Sequence, residues 1–375
     1  MIVRCKEKAI EKESFRFDIP EHPLDSSGKE SQSISRLTEQ TRPGAEGQNL
    51  RAGRTPGTVP PDRRKPLLIE DRGKKRMLIV GIVIAVLAIL MIAAGFLIAG
   101  IAMAIKPCTP EESRAWQEEH YDLSWYDPLE KTDYTVTSFD GYVLHAQFLK
   151  NPGDTNRYII LSHANTGDRF GVMKYAVMYL EQGFHVIVYD LRGHGLDAPT
   201  FCTFTVRERK DLQAMILDSR KRYPNASLFG IHGESLGAAT SIAVLEEKPP
   251  IDFVVADCGF SDIVPVLKGK AAAMHTPGFL IDLASVCAGI RFGYSFSRMR
   301  PIESLKENTI PILFIHGADD HFVPPEHSER MKEATKGYAE IHLVPGAEHA
   351  MSILTDPKGY REYVANFLAE QFPGR

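Results

Sequence analysis

Between Met77 and Ile105 the chain runs for 29 residues without a charged side chain, and Leu, Ile, Val, Ala, Met, Phe and Gly fill it throughout. Water does not tolerate such a stretch exposed. As a helix it would reach roughly 43 Å at about 1.5 Å per residue, more than the ~30 Å hydrocarbon core of a bilayer, so it can span one with tilt. A secretory signal peptide is the competing reading, and Ala102-Met103-Ala104 imitates a cleavage site. The apolar run is about twice the usual ~7–15 residues of a signal core, which favours an uncleaved transmembrane helix over residues 77–105. Arg72, Lys74, Lys75 and Arg76 precede it, while Lys106 alone follows before Glu111 and Glu112. That asymmetry predicts a cytosolic N-terminus, a single-pass topology and an extracytoplasmic C-terminal domain.

The run divides the chain. Residues 1–76 hold few aromatics, a Pro/Gly/Ser/Arg-rich stretch from Thr41 to Lys65 and little apolar periodicity, the composition of a disordered segment. They carry 17 Lys and Arg against 12 Asp and Glu, net +5, which leaves −9 of the total −4 for the remainder. A basic segment beside a membrane is attracted to anionic lipid. A start of translation at Met77 would remove this tail; peptides from before Met77 in the native protein would exclude that. Residues 106–375 suffice for one α/β domain with a sizeable core. No nucleic-acid partner is expected, and the oligomeric state is open.

Within that domain Gly233-Glu234-Ser235-Leu236-Gly237 reads G-x-S-x-G. Three fixed residues at this spacing arise by accident in a chain of this length with a probability on the order of 0.1, so context carries the argument. Leu228–Ile231 before it is strand-like, and Ala238–Leu245 after it is compatible with a helix. A serine at the apex of so sharp a turn is strained, and the two glycines remove side chains that would collide across the junction. Ser235 thereby becomes a candidate nucleophile, with the Leu236 N–H at a helix N-terminus facing any developing oxyanion. An ordinary glycine-flanked turn is the bland alternative.

A serine hydroxyl needs a base, and the base needs an orienting acid. Pro311–Ile315 is an apolar run fit for a buried parallel strand, and it leads through His316-Gly317-Ala318-Asp319 into Asp320. Glu340–Val344 is a further strand-like run, followed by Pro345-Gly346-Ala347-Glu348 and His349. The order Ser, Asp, His differs from those of the two best-known serine protease types.

The matching pieces are G-E-S-L-G-A-A-T at Gly233–Thr240, D-L-R-G-H-G at Asp190–Gly195, H-G-x-x-D-x-x-V-P at His316–Pro324 and G-x-x-H at Gly346–His349. Through them residues from about 134 to 367 resemble the α/β-hydrolase superfamily. They are most similar to small bacterial hydrolases with an N-terminal membrane anchor, related to dipeptidyl and acylaminoacyl peptidases. The resemblance implies Ser235 as nucleophile, Asp320 as acid and His349 as base, with no metal or organic cofactor. Family members commonly carry H-G after the third strand, where this chain has His163-Ala164-Asn165. The second oxyanion-hole donor beside Leu236 would be the Asn165 N–H. An alanine enters positive φ less cheaply than glycine, which puts that loop in question.

Other conspicuous residues take structural readings. His163, His194, His232 and His316 are scattered and lack the H-x-x-x-H spacing of zinc enzymes; His163 and His232 are expected to brace active-site loops. Asp319 is an alternative acid, but the D-x-x-V-P spacing favours Asp320. Asp257 reads as a turn cap, and Glu234 is assigned no role. Gly193 and Gly195 do not form a nucleotide-binding G-x-G-x-x-G. Cys5, Cys108, Cys202, Cys258 and Cys287 are too few and too scattered for a disulfide framework.

The remaining pattern predicts an α/β-hydrolase fold. A hairpin about Asp140-Gly141 joins strands at 134–139 and 142–149, and six more follow near 158–162, 184–189, 226–231, 252–257, 311–316 and 340–344. With helices between them they make a mostly parallel eight-stranded sheet covered on both faces, with a small cap at about 261–301. The expected function is a membrane-anchored serine hydrolase cleaving an ester, thioester or amide through an acyl-enzyme. Its substrate is a small-molecule or peptide acyl compound. An acyltransferase on the same triad and a non-catalytic binding module of the same fold are the alternatives.

Overall fold

The computed structural model describes residues 67–375. Eight strands, β1 (Lys131–Thr137), β2 (Val143–Leu149), β3 (Arg157–Ser162), β4 (Phe184–Tyr189), β5 (Leu228–Glu234), β6 (Phe253–Asp257), β7 (Ile312–Gly317) and β8 (Ala339–Val344), form one sheet in the order β1-β2-β4-β3-β5-β6-β7-β8. β1 and β2 are antiparallel, β2 meets β4 antiparallel, and every later pair is parallel. This is the α/β-hydrolase fold expected from the sequence. The helices are α1 (Leu67–Met103), α2 (Pro110–His120), α3 (Met173–Glu181), α4 (Glu208–Arg222), α5 (Leu236–Ala243), α6 (Ile263–Ala273), α7 (Phe279–Phe292), α8 (Glu326–Ala334), α9 (Ser352–Thr355) and α10 (Pro357–Gln371).

The central strands are apolar on both sides because both faces are covered, and their side chains alternate between two cores. Ile160 joins Ile187, Phe229, Val254 and Phe314 on one face, while Ile159 and Leu161 join Val186, Phe253, Tyr175 and Tyr360 on the other. From β3 the chain crosses to β4 on one side and then to β5 on the other. The loops leaving β3 and β5 therefore diverge at their C-terminal ends, the place where open α/β sheets hold ligands.

Two boundaries differ from expectation. β5 runs to Glu234 rather than ending at Ile231, because Gly233 pairs with Ser162 of β3 and Glu234 with Asp257 of β6. The hairpin loop is also longer than two residues. Ser138 accepts the Gly141 N–H at 3.1 Å and donates its own N–H to Tyr142 at 2.8 Å, with Gly141 at φ 81.

Among the described residues α1 is the one helix long and apolar enough on its own to cross a membrane. It begins at Leu67, so the last ten residues of the segment expected to be disordered are helical here; residues 1–66, including the Pro/Gly-rich stretch, lie outside the described residues. Lys and Arg are good helix formers, and the backbone ladder need not stop where the apolar run begins. Residues 86–375 form one compact unit, into whose core the end of α1 enters. Ala99 and Met103 are fully buried there, and the Met103 carbonyl accepts the Cys202 N–H at 2.9 Å. The region expected to be a cap, between β6 and β7, consists of α6, α7 and two short 3-10 turns.

Candidate active site

β5 ends against Ser235, whose backbone sits at φ 54 and ψ −110. Such a conformation costs a non-glycine residue about 1–3 kcal/mol and persists only where its surroundings enforce it. Here the Ser235 N–H donates to Asp257 O at 2.8 Å, and its carbonyl accepts the Ala239 N–H at 2.9 Å, the first turn of α5. A Cβ on Gly233 would overlap the Gly237 backbone, and one on Gly237 would overlap the Ser162 carbonyl. Both glycines are thus required by close approach.

Ser235, Asp320 and His349, singled out from three distant segments, meet at one edge of the sheet. His349 Nε2 lies 2.8 Å from Ser235 Oγ, and His349 Nδ1 lies 2.6 Å from Asp320 Oδ2. A carboxylate only accepts, so the proton between them sits on Nδ1 and leaves the Nε2 lone pair facing the hydroxyl. Asp320 is buried, and its Oδ1 accepts the N–H groups of Phe322 and Val323 at 2.9 Å each. Burial alone would raise this carboxyl; hydrogen bonds from His316 and His349 outweigh it and hold Asp320 well below the usual carboxylate range. Asp319 is exposed and takes no part. Cys258 Sγ lies with Asp320 and His349 in a group whose ligand atoms fall within 4.8 Å of one another. Both Asp320 oxygens are already engaged by N–H donors, so that donor set suits a proton relay better than a cation.

His316 is a contributor the sequence reading passed over. Its Nε2 approaches Val323 O at 2.7 Å and Asp320 Oδ2 at 3.1 Å, and its Nδ1 meets Ser328 Oγ at 2.7 Å. The Val323 carbonyl only accepts, so Nε2 carries the proton and shares it between that carbonyl and the acid. The H-G-x-x-D spacing was the only signal available for it.

Asn165 lies in the loop after β3, and Leu236 directly follows Ser235. Leu236 opens α5, and the missing side chain of Gly237 lets the Ser162 and His163 carbonyls of the β3 loop pack on that helix start. Ala164 does not adopt positive φ; Thr166 does, at 70°, so the alanine carries none of the strain that its replacement of glycine suggested. His163 ties this loop to the one after β4 by accepting the Leu191 N–H at 2.8 Å. His194 Nδ1 faces only the carbonyls of Arg192 (3.1 Å) and Leu191 (3.3 Å), so Nε2 is an acceptor. It takes the Thr166 N–H at 3.3 Å and lies 3.2 Å from Asn165 Oδ1; with Nε2 an acceptor, that amide has to be turned end for end so that its NH2 faces the ring.

Glu234 and Asp257 need new readings. Glu234 is buried and paired with the buried Lys174 at 2.5 Å, and Tyr175 OH donates to it at 2.7 Å. Asp257 is no turn cap: its buried carboxylate accepts from Tyr175 OH at 2.9 Å and Ser352 Oγ at 3.4 Å. Lys174 Nζ also donates to Ala350 O at 3.1 Å, so one ammonium joins the residue before the serine to the residue after His349. His232 braces no loop; it lies in the core, 3.0 Å from Tyr179 OH and 3.3 Å from Tyr360 OH, and burial beside Lys174 lowers it to about 3.

Burial and the neighbouring Glu234 raise Asp257 to about 6, against the pull of Lys174 and the Tyr175 hydroxyl. An unfolded Asp titrates near ~3.9. The fold thus holds this proton more tightly, a contribution complete below about pH 4 and lost as pH rises through about 6. Asp257→Asn should flatten the fall in unfolding free energy across that window in urea titrations. Identical pH slopes for the two proteins would contradict the assignment.

Residues 156–276 match the family described as serine aminopeptidase, S33, and residues 280–371 match the dienelactone hydrolase family. YqkD of Bacillus subtilis strain 168 is 29% identical over 301 residues, covering 79% of this chain and 97% of that protein. An uncharacterized membrane protein of Saccharomyces cerevisiae is 22% identical over 253 residues, 65% of this chain and 81% of its own. Among solved structures, an esterase of Pyrococcus furiosus superposes with a TM-score of 0.55 at 21% identity, over 71% of this chain and 98% of its own. The family matches and the fold together show that this chain is a hydrolase of the α/β-hydrolase superfamily.

Proposed function

We propose that the protein is a membrane-anchored serine hydrolase that cleaves an ester, thioester or amide through an acyl-enzyme. The observation that carries this is the continuous relay from Asp320 through His349 to Ser235, with contacts of 2.6 and 2.8 Å. Ser235 Oγ attacks the acyl carbonyl as its proton passes to His349 Nε2, and Asp320 holds the imidazolium that forms. The Leu236 and Asn165 N–H groups take the oxyanion. Removing one such donor typically costs about 2.7–4 kcal/mol of transition-state stabilisation. His349 returns the proton to the departing alcohol, thiol or amine. A water then repeats the sequence, giving its proton to His349 and its oxygen to the acyl group, and Ser235 leaves with the proton restored. In this reading α1 crosses the bilayer with its basic N-terminal flank in the cytosol and holds the hydrolase on the outer side.

Fluorophosphonate probes test the chemistry, because they modify only an activated serine. The expected result is a single adduct on the peptide containing Ser235. In Asp320→Asn the imidazole loses the partner that fixes its tautomer, and turnover should fall by on the order of 10⁴-fold. A wild-type protein that takes up no probe would sink the proposal.

A further inference from the structure

α7 presents an apolar face to its surroundings. Phe279, Val286 and Ile290, spaced i, i+7 and i+11, lie on one side and are 56%, 60% and 71% exposed; Met274, in the turn before, is 68% exposed. Asp282 on the same side is paired with Lys268 at 2.7 Å. The side of α7 next to this face packs on α1. A Cβ on Gly95 would strike Cys287 Sγ and Leu283 at 2.8 Å, and Cys287 Sγ lies 4.0 Å from Ile92 O. Small residues let two helices approach this closely.

The depth of that contact follows from counting. About 20 residues cross the ~30 Å hydrocarbon core, so a span entered at Met77, just past Arg76, leaves it near Phe96. Ile92 and Gly95 therefore belong to the outer-leaflet end of α1. The Arg291 side chain reaches Gly100, four residues past Phe96, where a guanidinium would meet headgroup phosphates.

Resting on the reading of α1 as a span, we propose that α7 is a second membrane contact. Its Phe279, Val286 and Ile290 face is immersed in the leaflet from which α1 emerges, and its partner is the bilayer itself. The loop after β3, which carries the Asn165 of the candidate site, is tied to the end of α1. Cys108, five residues beyond the end of α1, donates its N–H to Thr166 O at 2.7 Å. Five extended residues span at most about 18 Å, so the loop carrying Asn165 is held within that reach of the membrane helix.

The test uses the full chain reconstituted in phosphatidylcholine vesicles, with a nitroxide placed in turn at Val286→Cys, Ile290→Cys, Leu87→Cys and Leu217→Cys. Cys202, Cys258 and Cys287 are buried, and the parent chain taken through the same labelling supplies the background. Collisions with dissolved oxygen and with a water-soluble nickel chelate report depth. Labels at 286 and 290 should lie about 5–10 Å below the headgroups. Leu217, 51% exposed on α4, should report water. Nickel accessibility at 286 and 290 equal to that at 217, with 87 still in lipid, would overturn the proposal and leave the span intact. Labels at 286 and 290 shielded from both reagents would mean that a second copy covers the face, and would overturn it too. Water at 87 would instead refute the anchoring on which it rests.

Discussion

Ser235→Ala should lower the turnover of p-nitrophenyl esters by on the order of 10⁴–10⁶-fold while leaving the fold in place. The hydroxyl is the only group deleted. Its recorded partner is His349 at 2.8 Å, so the stability change should stay within about 1 kcal/mol, the worth of one hydrogen bond. Alanine keeps the same Cβ in the φ 54 conformation that Gly233 and Gly237 make room for. Adding His349→Ala to this variant should cost little more, because groups that act as a relay fail together. Esterase activity within tenfold of wild type, measured on protein with an unchanged melting temperature, would show that another residue performs the attack.

The largest effect on stability is expected from Lys174→Met. The ammonium is 3% exposed, pairs with a Glu234 that is 4% exposed, and faces Asp257 from the same buried side. Truncating one partner leaves the other as an uncompensated buried charge, at a cost of about 3–5 kcal/mol. The double variant Lys174→Met/Glu234→Gln removes both charges and should recover much of that loss in urea unfolding. Activity should not recover in step, because the Ala350 carbonyl beside His349 still lacks its donor. Equal stability for Lys174→Met and wild type would mean that the pair contributes nothing to the fold.

Much of this molecule was legible before any coordinates. The strands from β3 to β7 announced themselves as short, largely apolar runs because buried parallel strands are apolar on both faces. The three residues of the proposed relay were legible because each sits just past a strand, beside glycines or prolines whose spacing is set by local geometry. The buried network beneath it was not. Lys174 lies on an amphipathic helix, and Glu234 and Asp257 end strands; nothing in their neighbours' identities says that all three point to one interior spot. The extension of β5 through Gly233 and Glu234 was hidden for a related reason. A glycine in a strand reads locally as a break, and only the pairing with Ser162 and Asp257 shows otherwise. His316 could have been found, had the histidine four residues before the acid been weighed as its donor.

The final turns of α1 are also part of the interior. Ala99 and Met103 have no exposed surface, and Met103 accepts a backbone hydrogen bond from Cys202. A peptidase cutting after Ala104 would carry off both side chains. Burial of a methionine alone is worth about 1.5–3 kcal/mol, and the Cys202 N–H would be left unpaired. If α1 is the anchor proposed above, shedding by such a cut would thus yield a damaged product, because the segment removed is also part of the domain it would release.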